Sequence, residues 1–399
     1  MFDCIVVGAG PVGSYFAKEL AKEGLKVLVL EEHETVGEPV HCTGVIGQVA
    51  FNKLKLPQES IVSSIDHLKF ISPGFHNITL TKGQTWAHVV NRAVMDKLIA
   101  QEAKSAGVEI VLKSKVVDVK EDEKNVFVTL ENGEKILGKF CILATGSMCA
   151  LPYNLGFMKP WYFLKGAQIE TEFKVYDNST CDIFLGETLS GGDFIWTVPL
   201  NGNRARIGIC SRYNAKNYLE VFLSKHYIKD RILSPYKIEL GIVPIGGIEE
   251  KGLRYKRIAT LGDAAGQVKL TTAGGIALGI KMGMILKESI MEGCGMIHLP
   301  DGFLSKYYRN VRRSIGTELL VGDFFRKLFL KLKDEDWDGI IRLANDPRLL
   351  DIIQKKSEFD KHSRLILWFL SNKQYRKIFF KHSTVSIFEY IKQAVLFKM

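Results

Sequence analysis

The sequence predicts an α/β protein with a parallel-sheet lobe, an antiparallel-sheet lobe and a helical C-terminal region. Three observations carry this: a strand–glycine turn–helix–strand opening, a middle stretch of long alternating runs, and a helical, basic finish past Pro300. A chain of 399 residues exceeds what one core usually holds, so two or three lobes are expected. With 46% hydrophobic and 25% charged residues, the composition is that of a globular protein and excludes a disordered or collagenous one. The seven cysteines are scattered, odd in number and without a C-x-x-C pair. They argue for a reducing compartment and against a disulfide framework or a structural metal.

Asp3–Val7 is a short β-rich run, Pro11–Glu23 has helical spacing, and Lys26–Leu30 is a second buried strand. Val89–Ala106 reads as a helix with Val90, Ala93, Val94, Leu98 and Ala103 in one stripe. Val108–Val119 and Val126–Leu130 read as strands, and Phe140–Ala144 as a buried strand that ends at Thr145-Gly146. The runs Ala167–Tyr176, Cys181–Leu185, Phe194–Leu200 and Arg204–Cys210 alternate as an antiparallel sheet would. Arg257–Leu261 returns to a short apolar strand.

Gly8-x-Gly10-x-x-Gly13 follows the first strand and opens the first helix. The first glycine permits a tight turn, the second lets backbone approach a pyrophosphate, and the third lets helix pack on strand. The helix start adds free N–H groups and a partial positive charge. Glu31 ends the second strand, where a carboxylate can accept both hydroxyls of an adenosine ribose. A second cluster, Gly262-Asp263 followed by Gly274-Gly275, sets an aspartate on a tight turn ahead of another helix start. There the carboxylate can hold a ribityl chain, which nicotinamide lacks, so FAD explains both clusters. The expected organisation is a discontinuous, Rossmann-type FAD-binding lobe over 1–60, 86–150 and 255–295. An antiparallel-sheet substrate lobe takes 61–85 and 151–254, and a helical, basic region takes 296–399.

With Gly8–Gly13, Glu31, the Gly37–Gly47 segment, Asn91-Arg92 with Asp96, and Gly262–Gly275, the chain resembles the FAD-dependent geranylgeranyl reductases. These belong to a wider group that includes the aromatic hydroxylases, and the likeness spans roughly residues 1–300. The resemblance implies that Arg92 reaches the cofactor from a helix start and that Cys42 stands in a loop beside the flavin. A thiol there could sense the flavin, position substrate or relay a proton, and His41 is a candidate proton donor; both residues also have plain structural readings. Phe194, Trp196 and Val198 share one strand face and resemble the family's aromatic signature for a hydrocarbon substrate, or else are sheet core. Two departures stand out. Leu270 occupies a position where the family commonly has proline, and Ala144-Thr145-Gly146 lacks the Asp-Gly pair of the hydroxylases.

The resemblance implies reduction of isolated C=C bonds in geranylgeranyl chains of an isoprenoid ether phospholipid precursor, by hydride from reduced flavin plus a proton. The alternative is a monooxygenase or quinone oxidoreductase acting on a lipophilic isoprenoid. No second dinucleotide unit is evident, so the electron donor, NAD(P)H or ferredoxin, is expected to dock transiently. Of the net charge of +10, about six units fall in Asp351–Met399, which also holds nine aromatic residues. Such a tail suits an anionic bilayer surface, or forms a helical cap on the body. With no apolar run near 20 residues and no signal-peptide pattern, a cytoplasmic protein is expected, at most peripheral at the inner face of the cell membrane. No nucleic-acid module accompanies the charge.

Overall fold

Runs without a polar side chain, such as Val27–Leu30, are buried along their whole length, as a parallel strand between covered faces must be. The computed structural model describes residues 1–157, 159–246, 257–294 and 303–373. Most of the basic aromatic tail read above, from residue 374 on, lies outside them. The chain begins β1 (Phe2–Val7), α1 (Pro11–Ala21), β2 (Val27–Leu30), β3 (Val45–Gly47) and α2 (Gln48–Lys53). It continues β4 (Ile61–Ile65), β5 (His67–Ile71), β6 (Asn77–Thr81), β7 (Ala87–Val90) and α3 (Arg92–Ser105). Next come β8 (Glu109–Val111), β9 (Val116–Glu121), β10 (Val126–Leu130), β11 (Lys135–Leu143) and α4 (Leu151–Asn154). The middle holds β12 (Tyr162–Glu172), β13 (Thr180–Leu185), α5 (Glu187–Ser190), β14 (Phe194–Leu200), β15 (Arg204–Ser211), α6 (Ala215–Ser224), α7 (His226–Lys229) and β16 (Glu239–Ile245). The last part is β17 (Ile258–Thr260), α8 (Ile276–Cys294), α9 (Phe303–Phe329), α10 (Asp334–Ala344), α11 (Pro347–Lys356) and α12 (Ser363–Ser371).

The first sheet has the order β8-β2-β1-β11-β10-β9, with β17 also on β11. Strands β8, β2, β1, β11 and β17 run parallel, and β9, β10 and β11 form an antiparallel meander. Helices α1, α8 and α9 cover one face through Phe16, Leu20, Met282, Leu286, Tyr307 and Val311. The second sheet, β16-β12-β15-β14-β13-β5-β6, is antiparallel except where β13 meets β5. One face packs on α6 through Ile169, Phe184, Ile207 and Phe222. Strands β3, β7 and β4 form a small third sheet.

Three local readings need correction. The helix read from Val89 starts at Arg92, because Ala87–Val90 pairs as β7 and Asn91 caps the helix by accepting the Val94 N–H at 3.2 Å. The strand read over Val108–Val119 is two strands with different partners, β8 on β2 and β9 on β10. The sequence reading resolves no strands in residues 61–85, where β4, β5 and β6 lie; β5 and β6 pair with each other and join the second sheet only through β13, while β4 pairs with β7 in the third sheet.

Arg326 of α9 ties these parts together. Its Nη1 donates to the Leu270 carbonyl at 3.2 Å, and its Nη2 donates to the Asp193 carboxylate at the start of β14. Both side chains are buried. Burial pushes the Asp193 carboxyl up to about 6, against the opposing pull of Arg326. Removing one partner strands the other charge in a medium that solvates it poorly. Asp193→Ala is therefore expected to cost about 3–5 kcal/mol, whereas Asp193→Leu combined with Arg326→Met costs much less. Urea unfolding midpoints of the three proteins check this; equal losses for single and double variants would contradict it.

Candidate functional site

The N-terminal cradle is built where β1 turns into α1. Gly8 has φ 107°, and a Cβ there would come within 2.4 Å of the Ala144 carbonyl oxygen. A Cβ on Gly13 would come within 2.1 Å of the Gly8 oxygen, so only glycine lets the helix sit this close to the strand. Gly10 differs: nothing lies within 4 Å of where its Cβ would be. It is the N-cap of α1, with no side chain capping the first turn and Pro11 at the helix start. An open, uncapped helix N-terminus is what a pyrophosphate requires. Glu31, buried at the end of β2, accepts the Ala9 N–H at 2.7 Å and the His33 N–H at 3.1 Å. Its carboxylate is thus pinned beside the glycine turn: Oε1 also faces His33 Nδ1 at 2.6 Å, and Oε2 keeps a lone pair.

The second glycine cluster meets the first through Val12. A Cβ on Gly279 would come within 2.9 Å of a Val12 methyl, and one on Gly262 within 3.4 Å. Asp263 follows Gly262 on the turn after β17, and its carboxylate receives no hydrogen bond from any described residue. Burial raises its pKa, with Arg92 pulling the other way. A Cβ on Gly275 would crowd the Asp263 carboxylate at 2.6 Å. Gln267 holds the turn from behind: it accepts the Gly262 N–H at 2.8 Å and donates to the Tyr307 hydroxyl at 2.7 Å. An open helix start, an unpartnered carboxylate on a glycine turn and a pinned glutamate suit the pyrophosphate, ribityl and ribose parts of FAD.

Arg92 and Asp96 form a bidentate pair, 2.8 and 3.1 Å, one helical turn apart on α3. Burial alone would lower the arginine's pKa; Asp96 and the adjoining Cys42 thiol outweigh it and raise it. Cys42 also accepts the Gly44 N–H at 3.4 Å. Two residues of the second sheet hold this loop. The Thr43 hydroxyl donates to Gln168 Oε1 at 2.6 Å, and Arg206 donates to the Thr43 carbonyl at 2.6 Å. His41 is exposed and packs over Gly241 of β16. Cys42, Arg92 and Asp263 thus share one neighbourhood, while Glu31 stands with Gly8 and Gly13 at the other end of the cradle.

A cavity of about 510 Å³ lies between these loops and the second sheet. All seven strands line it, and alternate residues face it: Phe194, Trp196 and Val198 on β14, then Cys181, Ile183 and Leu185 on β13. The Trp196 indole lies across Gly208, where a Cβ would come within 2.7 Å of the ring. Phe329 and Trp337, in edge contact at 4.8 Å, belong to the roof formed by α9 to α12. A polar patch interrupts this wall on the roof side. Lys269 Nζ lies 2.9 Å from Asp360 Oδ1, and the Thr271 hydroxyl donates to His362 Nδ1 at 2.5 Å. His362 Nε2 then carries the proton, since its partner at 3.1 Å is the Phe359 carbonyl, an acceptor only. Among the described residues, no group of three or more His, Cys, Asp or Glu side chains is arranged to hold a metal ion. No helix among them is long and apolar enough to cross a membrane.

Sequence reasoning missed Gln168, Arg206, Lys269, Thr271 and His362. No motif marks them, because they reach the site from separate elements. Leu270, the departure from the proline pattern, is buried with Leu164, Ile245 and Val268.

Cradle and cavity together define the class: a dinucleotide-binding α/β protein whose second sheet encloses an apolar chamber. The chain belongs to the Lycopene cyclase protein family, which it matches over residues 3–336. It is 28% identical to digeranylgeranylglycerophospholipid reductase 1 of Methanococcoides burtonii over 386 residues, 92% of this chain and 94% of that one. The digeranylgeranylglycerophospholipid reductase of Methanocaldococcus jannaschii is also 28% identical, over 85% of this chain and 90% of its own. A geranylgeranyl bacteriochlorophyll reductase-like protein of Thermoplasma acidophilum has the same fold: TM-score 0.82, 23% identity, 94% of this chain and 97% of that one. A single-substitution mutant of the halogenase PltM, solved in complex with FAD, shares the fold at TM-score 0.67 and 13% identity, over all of this chain and 91% of its own. These relatives bear out the resemblance read from the motifs.

The His362 environment gives a pH dependence. Burial first, and the Lys269 ammonium second, push its pKa down to about 4. The folded protein therefore favours the neutral ring, while the unfolded chain binds a proton near pH 6.5. Stability is full above about pH 6.5 and falls as pH drops toward 4. Urea unfolding at about pH 7.5 and pH 5 should show that loss, and His362→Gln should reduce it; an unchanged difference would assign it to other groups.

Proposed function

We propose that this protein is an FAD-dependent oxidoreductase that saturates isolated C=C bonds in geranylgeranyl chains of an isoprenoid ether phospholipid precursor. One observation carries the reading: the glycine cradle suited to FAD opens onto an apolar chamber that crosses a whole sheet. Such a chamber suits a hydrocarbon, which offers nothing to hydrogen-bond. The reductase activities for which the relatives are named agree with it and do not favour a monooxygenase or quinone oxidoreductase.

In this reading Gly8, Gly10, Gly13 and Glu31 hold the adenosine diphosphate part of FAD. Gly262, Asp263, Gly274 and Gly275 would hold the ribityl chain and the ring's edge, and Arg92 and Cys42 would stand beside the ring. Bound and reduced, FAD supplies the hydride. The chain's own residues supply the setting: Phe194, Trp196 and Val198 keep the prenyl chain in register and exclude water. An isolated alkene cannot stabilise negative charge, so positive charge must develop at the tertiary carbon as a proton arrives. Cys42 and His41 are the candidates for that side of the reaction. NAD(P)H or ferredoxin would restore the electrons by transient docking, and lipid would be drawn from a membrane surface by peripheral contact.

Anaerobic incubation of dithionite-reduced protein with an unsaturated geranylgeranyl ether lipid tests the activity by mass spectrometry. The expected product gains two hydrogens per bond. Incorporation of oxygen in air, with no gain of hydrogen, would overturn the reading.

A further inference from the structure

The chamber has two unlike ends. Both cofactor-side loops lie over the β16-β12-β15 end of the sheet: His41 packs on Gly241, Thr43 bonds Gln168, and Leu270 packs on Leu164. The exposed members of the wall at this end are His41, Glu239, Leu240 and Thr272; the other, Glu358, stands on the loop after α11 beside Lys82. At the other end β6 is covered by α10 and α11. Ile78, Leu80, Ala344 and Leu349 are all buried there, the last at 1% exposure. The edge is fastened by side-chain amides: Asn345 Nδ2 donates to the Asn77 carbonyl at 3.0 Å, and Gln354 Nε2 to the Thr79 carbonyl at 3.5 Å. One end is open and the other is blind.

The dimensions match one prenyl arm. Neighbouring strands lie about 4.8 Å apart, so the four steps from β15 to β6 span about 19 Å. An extended chain advances about 1.2 Å per backbone bond, so the roughly sixteen bonds of a geranylgeranyl arm also reach about 19 Å.

We propose that the β6–α10–α11 end is a ruler: the isoprenoid arm enters tail first at the β16 edge, and Ala344, with Leu80 and Leu349, sets how far it can go. The inference rests on the substrate class proposed above. Its consequence is regiochemical. The double bond nearest the tail reaches the cofactor loops at shallow insertion. The bond nearest the glycerol reaches them only when the tail touches the blind end.

Two measurements on the flavin-loaded, full-length protein test this. In the first, intrinsic tryptophan fluorescence (Trp86, Trp196 and Trp337 line the chamber) reports binding of geraniol, farnesol, geranylgeraniol and farnesylgeraniol. For the wild type, each added isoprene unit should tighten binding about tenfold or more as far as geranylgeraniol, and no further. Ala344→Phe should end the series at farnesol, and Leu349→Ala should extend it to farnesylgeraniol. This readout stands even if the protein reduces nothing, so a failed ruler and a failed substrate assignment are distinguishable. In the second, mass-spectrometric fragmentation locates residual unsaturation: the wild type clears all four bonds of an arm, and Ala344→Phe leaves the glycerol-proximal one. Flavin content equal to wild type shows that each variant folds. Binding that ignores both substitutions, or an Ala344→Phe product that keeps its tail-end bond, would overturn the ruler.

Discussion

A chamber lined by hydrocarbon side chains has to meet a cradle built for a charged dinucleotide, and the join between them depends on one buried cation. Arg326 leaves α9 and reaches the carbonyl of Leu270 in the cofactor-side loop and the carboxylate of Asp193 at the start of β14. The roof, the cradle loop and the sheet that floors the chamber are therefore bonded to the same guanidinium. A buried pair of this kind adds little net stability, because desolvation offsets most of its attraction. Its directional hydrogen bonds fix relative position instead, which greasy surfaces packed against one another would leave free to slide.

The chamber itself follows from strand alternation. On β14, β13, β5 and β6 the residues that face the chamber, every second one along each strand, are apolar. Helices α10 to α12 supply aromatic and branched residues from the opposite side without filling it. The polar groups that do enter are paired with one another: Lys269 with Asp360, and Thr271 with His362. A hydrocarbon guest thus meets no unpaired charge at this patch, and Glu239 stands at the exposed end of the wall.

Much of this was legible in residue order. Gly8, Gly10 and Gly13 announce the cradle because only glycine meets their steric demands, and those demands are local. The shared face of Phe194, Trp196 and Val198 was legible for the same reason, since alternation needs only one strand. Residues 61–85 were opaque because β5 is held by β13, more than a hundred residues away, and β6 joins the sheet only through β5. Gln168, Arg206 and His362 left no trace either: each enters the site from an element whose neighbour is set by topology. Thr43 and Gln168 are 125 positions apart, and Thr271 and His362 are 91 apart. The helix boundary at Asn91 was misplaced because the apolar stripe of Val89 and Val90 serves a strand and a helix equally well.

The central claim is that electrons held on a bound flavin pass to an alkene lodged in the chamber. Its most direct measurement is the rate at which photoreduced, flavin-loaded protein returns to the oxidised visible spectrum in the absence of oxygen. Geranylgeranyl ether lipid should restore that spectrum stoichiometrically, and its fully saturated phytanyl counterpart should leave it bleached. Equal behaviour with both lipids, or a protein that holds no flavin, would contradict the account.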